Sequence, residues 1–154
     1  MTAEEMWNRF CSESGAEKSL PHEAWAFCGG GPFADELASL VLKGVKTATA
    51  SALIAYETEG EKIPEPGCLS VILYSSGEAA GIIRDTKVSL VPFNEVSREH
   101  AYKEGEGERT LEEWREIHKR AFTPNYKAAG KEFDEKGICV LEEFELVYPF
   151  NPDR

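Results

Sequence analysis

Lys46 and Thr49 lie three residues apart in the stretch Gly44-Val45-Lys46-Thr47-Ala48-Thr49-Ala50. An amine and a hydroxyl at that spacing can face one cavity if the chain turns a corner between them. Desolvation at such a corner favours the neutral amine, and a neutral amine beside a hydroxyl is a base beside a nucleophile. Spacing alone also fits a solvated lysine behind a helix-ending glycine. The elements that must place the pair are legible. An apolar helix runs from Pro32, with Phe33, Leu37, Leu40 and Val41 on one face, and Gly44 closes it. Thr47, Thr49 and Ser51 then alternate with Ala48, Ala50 and Ala52 at period two, which predicts a strand from Thr47 to Ile54. Lys46 therefore sits at a helix-to-strand corner.

Other side chains could serve a site there. Cys28-Gly29-Gly30-Gly31-Pro32 is a loop able to roof a pocket, since Gly29 and Gly30 allow close backbone approach to a ligand. It lacks the G-x-G-x-x-G order and a preceding strand, so it is not a dinucleotide fingerprint. Arg84, in a strand, offers a forked donor to a substrate or to a carboxylate partner. Tyr56, at the predicted strand end, is placed to stack on a base. Trp114 and His118 lie four apart on one helix face. Trp114 reads as core, and His118 as a structural histidine with the pocket beneath it. No His/Cys/carboxylate group has metal-ligand spacing, and no cofactor is implied.

Around these, Thr2 and Glu5 form a capping-box pattern for a short helix that carries Met6, Trp7 and Phe10 and ends at Gly15. Ser19 to Phe27 reads as irregular or briefly helical, and Glu57 to Glu65 as a charged loop. Leu69 to Tyr74 is a buried strand, Ser75-Ser76-Gly77 a hairpin turn, and Ala79 to Phe93 a second strand region broken near Asp85. Ser97 caps a short helix with His100 and Ala101. Thr110 with Glu113 opens a helix that carries Leu111, Trp114, His118 and Phe122, and Ile138 to Tyr148 is a last strand. Strands joined by short turns give an α+β fold with an antiparallel or mixed sheet.

The chain has 154 residues and no repeat or linker, which fits one domain. Its net charge of −11 disfavours duplex DNA and anionic membrane surfaces. The N-terminal residues lack a signal-peptide pattern and no stretch approaches membrane-spanning length, so a cytoplasmic protein is expected. The four cysteines form no C-x-x-C pair and read as reduced thiols.

Gly44-Val45-Lys46-Thr47-Ala48-Thr49 resembles the G-x-K-x-x-T signature of ASCH domains. The resemblance continues through Pro92-Phe93-Asn94-Glu95-Val96, His100-Ala101-Tyr102-Lys103-Glu104-Gly105-Glu106-Gly107 and Leu111 to His118, in the family's order and in the manner of its longer bacterial branch. It implies a PUA-like small mixed or antiparallel β-barrel with flanking and inserted helices. It also implies one domain over residues 1–154, with a helical extension at about 1–31. In function it implies RNA or a nucleoside-like ligand. Some small members are amidohydrolases that remove acyl groups from the N4 of cytidine with a Lys, a Thr and a Glu, and the motifs place Lys46, Thr49 and Glu104 in those roles. Other members are described as ribonucleases. The chain departs from the pattern at Ser51, where many members carry Arg, and Arg84 on a neighbouring strand is the candidate replacement. Two function classes follow: an amidohydrolase acting on an N-acylated nucleoside such as N4-acetylcytidine, or a non-catalytic RNA- or nucleotide-binding module.

Overall fold

The computed structural model describes residues 1–150. Helix α1 (Ala3–Ser14) begins and ends where its local chemistry dictates. The Glu5 amide donates to the Thr2 hydroxyl at 3.1 Å, the Glu5 carboxylate accepts from the Thr2 amide at 2.8 Å, and Gly15 turns left-handed beyond it. Its buried face, Met6, Trp7, Phe10 and Cys11, packs on Val71, Ile82 and Tyr148 of the sheet.

The sheet has five strands: β1 (His22–Trp25), β2 (Ala48–Ala52), β3 (Leu69–Leu73), β4 (Ala79–Pro92) and β5 (Ile138–Tyr148). Their order is β1-β3-β4-β5-β2, with only β1 and β3 parallel. β1 corrects the irregular reading of this stretch: its mostly exposed residues carry no alternation, and pairing with β3 makes them a strand. The break expected near Asp85 is a register shift between Asp85 and Lys87 on β5. β1 and β2 are both edges with no ladder between them, so the sheet is open rather than the closed barrel expected.

β2 ends earlier than predicted. From Leu53 the chain enters α3 (Leu53–Glu59), which Gly60 ends in the left-handed region at φ 68. Leu53 to Glu59 alternates no better than it follows a helical period, and helix wins here because α3 packs on β5 and on a helix, α5 (Leu111–Ala128). Tyr56 consequently lies on a helix, not at a strand end, and the charged loop begins only after it.

Register assigns the two faces of the sheet. Ala48, Ala50 and Ala52 stand opposite Glu143, Leu141 and Cys139, while Thr49 and Ser51 stand opposite Glu142 and Val140. The first face is covered by α5 and by α4 (Arg98–Glu104), where Ala52, Cys139 and Leu141 meet Phe93, Ala101, Trp114, Phe122 and Tyr126. The second face carries Phe144, Ile83 and Ile72 against Leu37, Ala38 and Val41 of α2 (Pro32–Leu42) and against Phe27.

Gly105 ends α4 at φ 72, and a Cβ there would lie 2.7 Å from the Val45 carbonyl oxygen. Gly105→Ala should therefore lose more stability than the left-handed penalty of roughly 1–2 kcal/mol. Gly77→Ala, at φ 89 with nothing within 4 Å of the new methyl, should lose only that penalty. Urea unfolding of the two variants checks this, and equal losses would show that the Val45 contact relaxes freely.

Candidate functional site

Three segments bring one cluster together. After α2, the amides of Val45 and Lys46 both bond the Leu40 carbonyl, at 2.9 and 3.1 Å, while Gly44 takes φ 78. The Thr47 amide then bonds the Lys103 carbonyl at 2.7 Å, which ties this corner to the end of α4. On α4, capped by the Ser97 hydroxyl, His100 and Glu104 share a face one turn apart. On α5, capped by Thr110, Trp114 and His118 do the same.

Glu104 is the centre of the cluster and only 1% exposed. Its Oε2 accepts from the Trp114 indole at 2.5 Å and from His100 Nε2 at 2.7 Å. Its Oε1 accepts from His118 Nε2 at 3.2 Å and stands 3.6 Å from Lys46 Nζ. Burial acts to raise its pKa, but the charges of His118 and Lys46 and the histidine hydrogen bonds outweigh burial and hold the carboxyl well below its ordinary value. With both oxygens engaged, Glu104 is a fixed anion that positions its neighbours. A proton shuttle needs a freer carboxyl.

His118 donates through Nδ1 to the Trp114 carbonyl at 2.8 Å while its Nε2 faces the Glu104 carboxylate. Both partners only accept, so the ring satisfies both as an imidazolium. Burial opposes that charge, yet the Glu104 charge and hydrogen bond prevail and raise the histidine's pKa above its ordinary value.

Lys46 is 2% exposed. Its amine donates to the carbonyls of Ala48 at 2.9 Å and Glu104 at 3.3 Å and to Glu106 Oε2 at 3.1 Å, with the Phe27 ring centroid at 5.2 Å. Three acceptors surround the amine, with Glu106 its ion-pair partner. Glu106 is the most solvent-accessible carboxylate here, with 20% of its side chain exposed against 2% for Glu104. Burial raises the pKa of its carboxyl, Lys46 opposes this, and the Glu104 charge adds to the rise.

Sequence reasoning singled out Glu104 and passed over Glu106, its neighbour in the Glu-Gly-Glu-Gly loop, and His100. The four-residue spacing of His100 and Glu104 on a short helix was the available signal for His100. It also found no metal spacing, yet the donor atoms of Glu104, Glu106 and His118 all lie within 4.8 Å of one another. His118 sits on α5, beyond the loop that carries Glu106, and only the packing of α4 against α5 brings its ring to the two carboxylates.

Of the other candidates, Gly29 and Gly30 take φ 66 and 98 in the turn beside Phe27, so their loop borders Lys46. The Cys28 thiol in this loop is pushed up by burial and by the Glu106 charge. Thr49 lies on β2 opposite Glu142, on the sheet face that carries the Phe144 core rather than the Trp114 core. Tyr56 hydrogen-bonds Ser51, and burial pushes its phenol up to about 12. Arg84 is engaged elsewhere: its Nε and Nη2 both bond Glu145 Oε1, at 3.0 and 2.5 Å.

A second polar group lies near Thr49. Asp85 and Glu142, 6% and 7% exposed, hydrogen-bond each other. Two carboxylates cannot do this without a proton between them. Burial and the Asp85 contact push Glu142 up to about 9; burial and the Glu23 charge also raise Asp85.

The arrangement defines a class: an α+β domain whose open mixed sheet and two helices enclose a lysine–carboxylate–histidine cluster. The family model for the ASCH domain matches residues 23–148, and the chain belongs to the ASCH domain family. It is similar to the crystal structure of an ASCH domain from Lactobacillus crispatus, with 34% identity, a TM-score of 0.87, and coverage of 94% of this chain and 92% of that one. It is also similar to a crystallised protein from Enterococcus faecalis, with 33% identity, a TM-score of 0.84, and coverage of 94% and 86%. Hypothetical protein PH0355, 15% identical with a TM-score of 0.55 and coverage of 83% and 100%, shares the fold alone. No significant match is found among curated proteins. Among the described residues no helix is long and apolar enough to cross a membrane.

Proposed function

We propose that this ASCH domain hydrolyses an amide on a small nucleoside-type substrate, of which N4-acetylcytidine is the representative. The observation that carries the reading is the buried Lys46 ammonium held 3.1 Å from Glu106, the solvent-reaching carboxylate, and braced by the clamped Glu104. A desolvated, preplaced cation stabilises the oxyanion of a tetrahedral intermediate. Glu106, whose carboxyl pKa burial raises, is the group placed to carry the proton. A water oxygen bonds to the acyl carbon and gives its proton to Glu106. The C–N bond then breaks with its electron pair on nitrogen, and Glu106 returns the proton to the leaving amine. Glu104 keeps Lys46 in place throughout. Gly29, Gly30 and Tyr56 are assigned to the substrate's edges, and the net charge of −11 favours an uncharged ligand.

The test incubates the purified protein with N4-acetylcytidine and related N-acyl nucleosides and follows the free amine. Lys46→Ala should lower the rate by roughly 100-fold or more, the scale of losing an oxyanion contact. Hydrolysis that survives Lys46→Ala unchanged would refute the mechanism.

A second reading, as an RNA- or nucleotide-binding module, is favoured by one surface feature. A shallow groove of about 370 Å³ is lined by Arg98, Glu99, Tyr102, Lys103 and Arg109. The Arg109 guanidinium stacks 3.6 Å over the exposed Tyr102 ring, and Arg109 takes φ 64, a costly conformation for a residue with a side chain. Cation and aromatic together suit phosphate and base. Titration with single-stranded RNA at two salt concentrations decides it: binding should weaken steeply with salt, absence of binding at low salt excludes the module, and cleavage products in the same tubes would mark a ribonuclease.

A further inference from the structure

We propose that Glu104, Glu106 and His118 form a binding site for a divalent cation of zinc or cobalt type, for which the Lys46 ammonium is the competing occupant. The proposal does not depend on the hydrolytic reading.

The geometry is that of a ligand set. All three donor atoms lie within 4.8 Å of one another. His118 Nε2 and Glu104 Oε1 are 3.2 Å apart, close to the edge of a tetrahedron whose metal–ligand bonds are about 2.0–2.2 Å. The ligands are also oriented from behind, as metal ligands are. The Trp114 carbonyl holds His118 Nδ1 at 2.8 Å, so Nε2 is the nitrogen aimed at the cluster. His100 and the Trp114 indole hold Oε2 of Glu104, which leaves Oε1 for the cation. Glu106 supplies the entry path, since its side chain is 20% exposed.

Lys46 Nζ, 3.1 Å from Glu106 and 3.6 Å from Glu104, already supplies positive charge to these carboxylates. On cation binding the amine gives up its Glu106 contact and keeps the carbonyls of Ala48 and Glu104, so it loses one hydrogen bond rather than three. His118 Nε2 releases its proton to solvent and its lone pair takes the metal. A remaining ammonium a few ångströms from the metal repels it, and this predicts an unusual result: removing Lys46 strengthens binding.

The experiment titrates the full chain with CoCl2, read by ligand-field absorption, and with ZnCl2, read by calorimetry. One equivalent should bind, and the cobalt spectrum should lack the thiolate charge-transfer band that coordination by Cys28 or another cysteine would produce. Lys46→Met should bind roughly tenfold tighter or more, because a nearby like charge is gone. Glu106→Gln, a conservative change at a partly exposed side chain, should bind roughly tenfold weaker or more. Circular dichroism verifies that each variant is folded. A Lys46→Met protein that binds no tighter than wild type, a Glu106→Gln protein that binds as well, or a thiolate band would each overturn the site. None of these readouts uses amide hydrolysis, so failure here and failure of the proposed function are separate results.

Discussion

Glu104→Ala should destabilise the domain by about 3–5 kcal/mol, the scale of breaking a buried charge network from one side. The Glu104 carboxylate is the shared acceptor of His118, His100 and Trp114, and it faces the Lys46 amine. Alanine would leave the Lys46 and His118 cations buried without their main counter-charge, and two further donors, on His100 and Trp114, without a partner. Water entering the vacated space would recover part of the loss, which is why the estimate stays below the sum of four interactions. Glu99→Ala, an exposed position on the same helix, should change stability by no more than about 0.5 kcal/mol. Urea denaturation of both variants measures the contrast. A loss of less than about 1 kcal/mol for Glu104→Ala would mean that the cations relax to solvent and that the cluster is not held together by this carboxylate.

The second large effect is alkaline destabilisation through Glu142. Its carboxyl is pushed up to about 9 in the folded state by burial and by Asp85, from an ordinary value of 4.5 when unfolded. Between those values the unfolded chain has released a proton that the folded chain retains. Stability is therefore greatest below pH 4.5 as far as this group is concerned, and it falls as pH rises towards 9. The slope is at most about 1.4 kcal/mol per pH unit, so at pH 7 the group costs about 3 kcal/mol. Glu142→Gln removes the titration while its amide still donates to Asp85. The variant should be more stable than wild type at pH 8, and the difference should shrink towards pH 5. His118, whose raised pKa also makes its contribution fade as pH rises, is common to both proteins and cancels in the comparison. Thermal unfolding across that range measures the gap. A gap that does not change with pH would show that the Asp85–Glu142 proton is not held as the geometry requires.

Such a carboxyl pair lowers stability at working pH. Its placement beside Thr49, on a sheet face otherwise filled by Phe144, Ile83 and α2, is the kind of local cost that functional regions carry.

Much of the fold was legible in the chain because it rests on local chemistry. Thr2 with Glu5, Ser97, and Thr110 with Glu113 are caps whose donors and acceptors lie within three residues of each other, and each begins a helix where the sequence places it. Gly44 and Gly105 turn left-handed where helices give way. β5 spans Ile138 to Tyr148, as its alternation predicts, and α5 carries Trp114 and His118 on its buried side. The family motif located Lys46 and Glu104, which meet across 3.6 Å.

Tertiary structure decided the rest. β1 has no pattern of its own and exists because β3 offers it a parallel edge. α3 replaces the end of a predicted strand because its residues find α5 and β5 to pack on. The sheet stays open because β1 and β2 do not pair. The protonation states are equally non-local. What Lys46 pairs with, whether Glu104 is a shuttle or a clamp, and whether Glu142 holds a proton all depend on burial and on groups as far as 60 or more residues away in the chain. Sequence spacing carries the identity of such groups, but the field each one feels exists only once the helices and the sheet have closed around it.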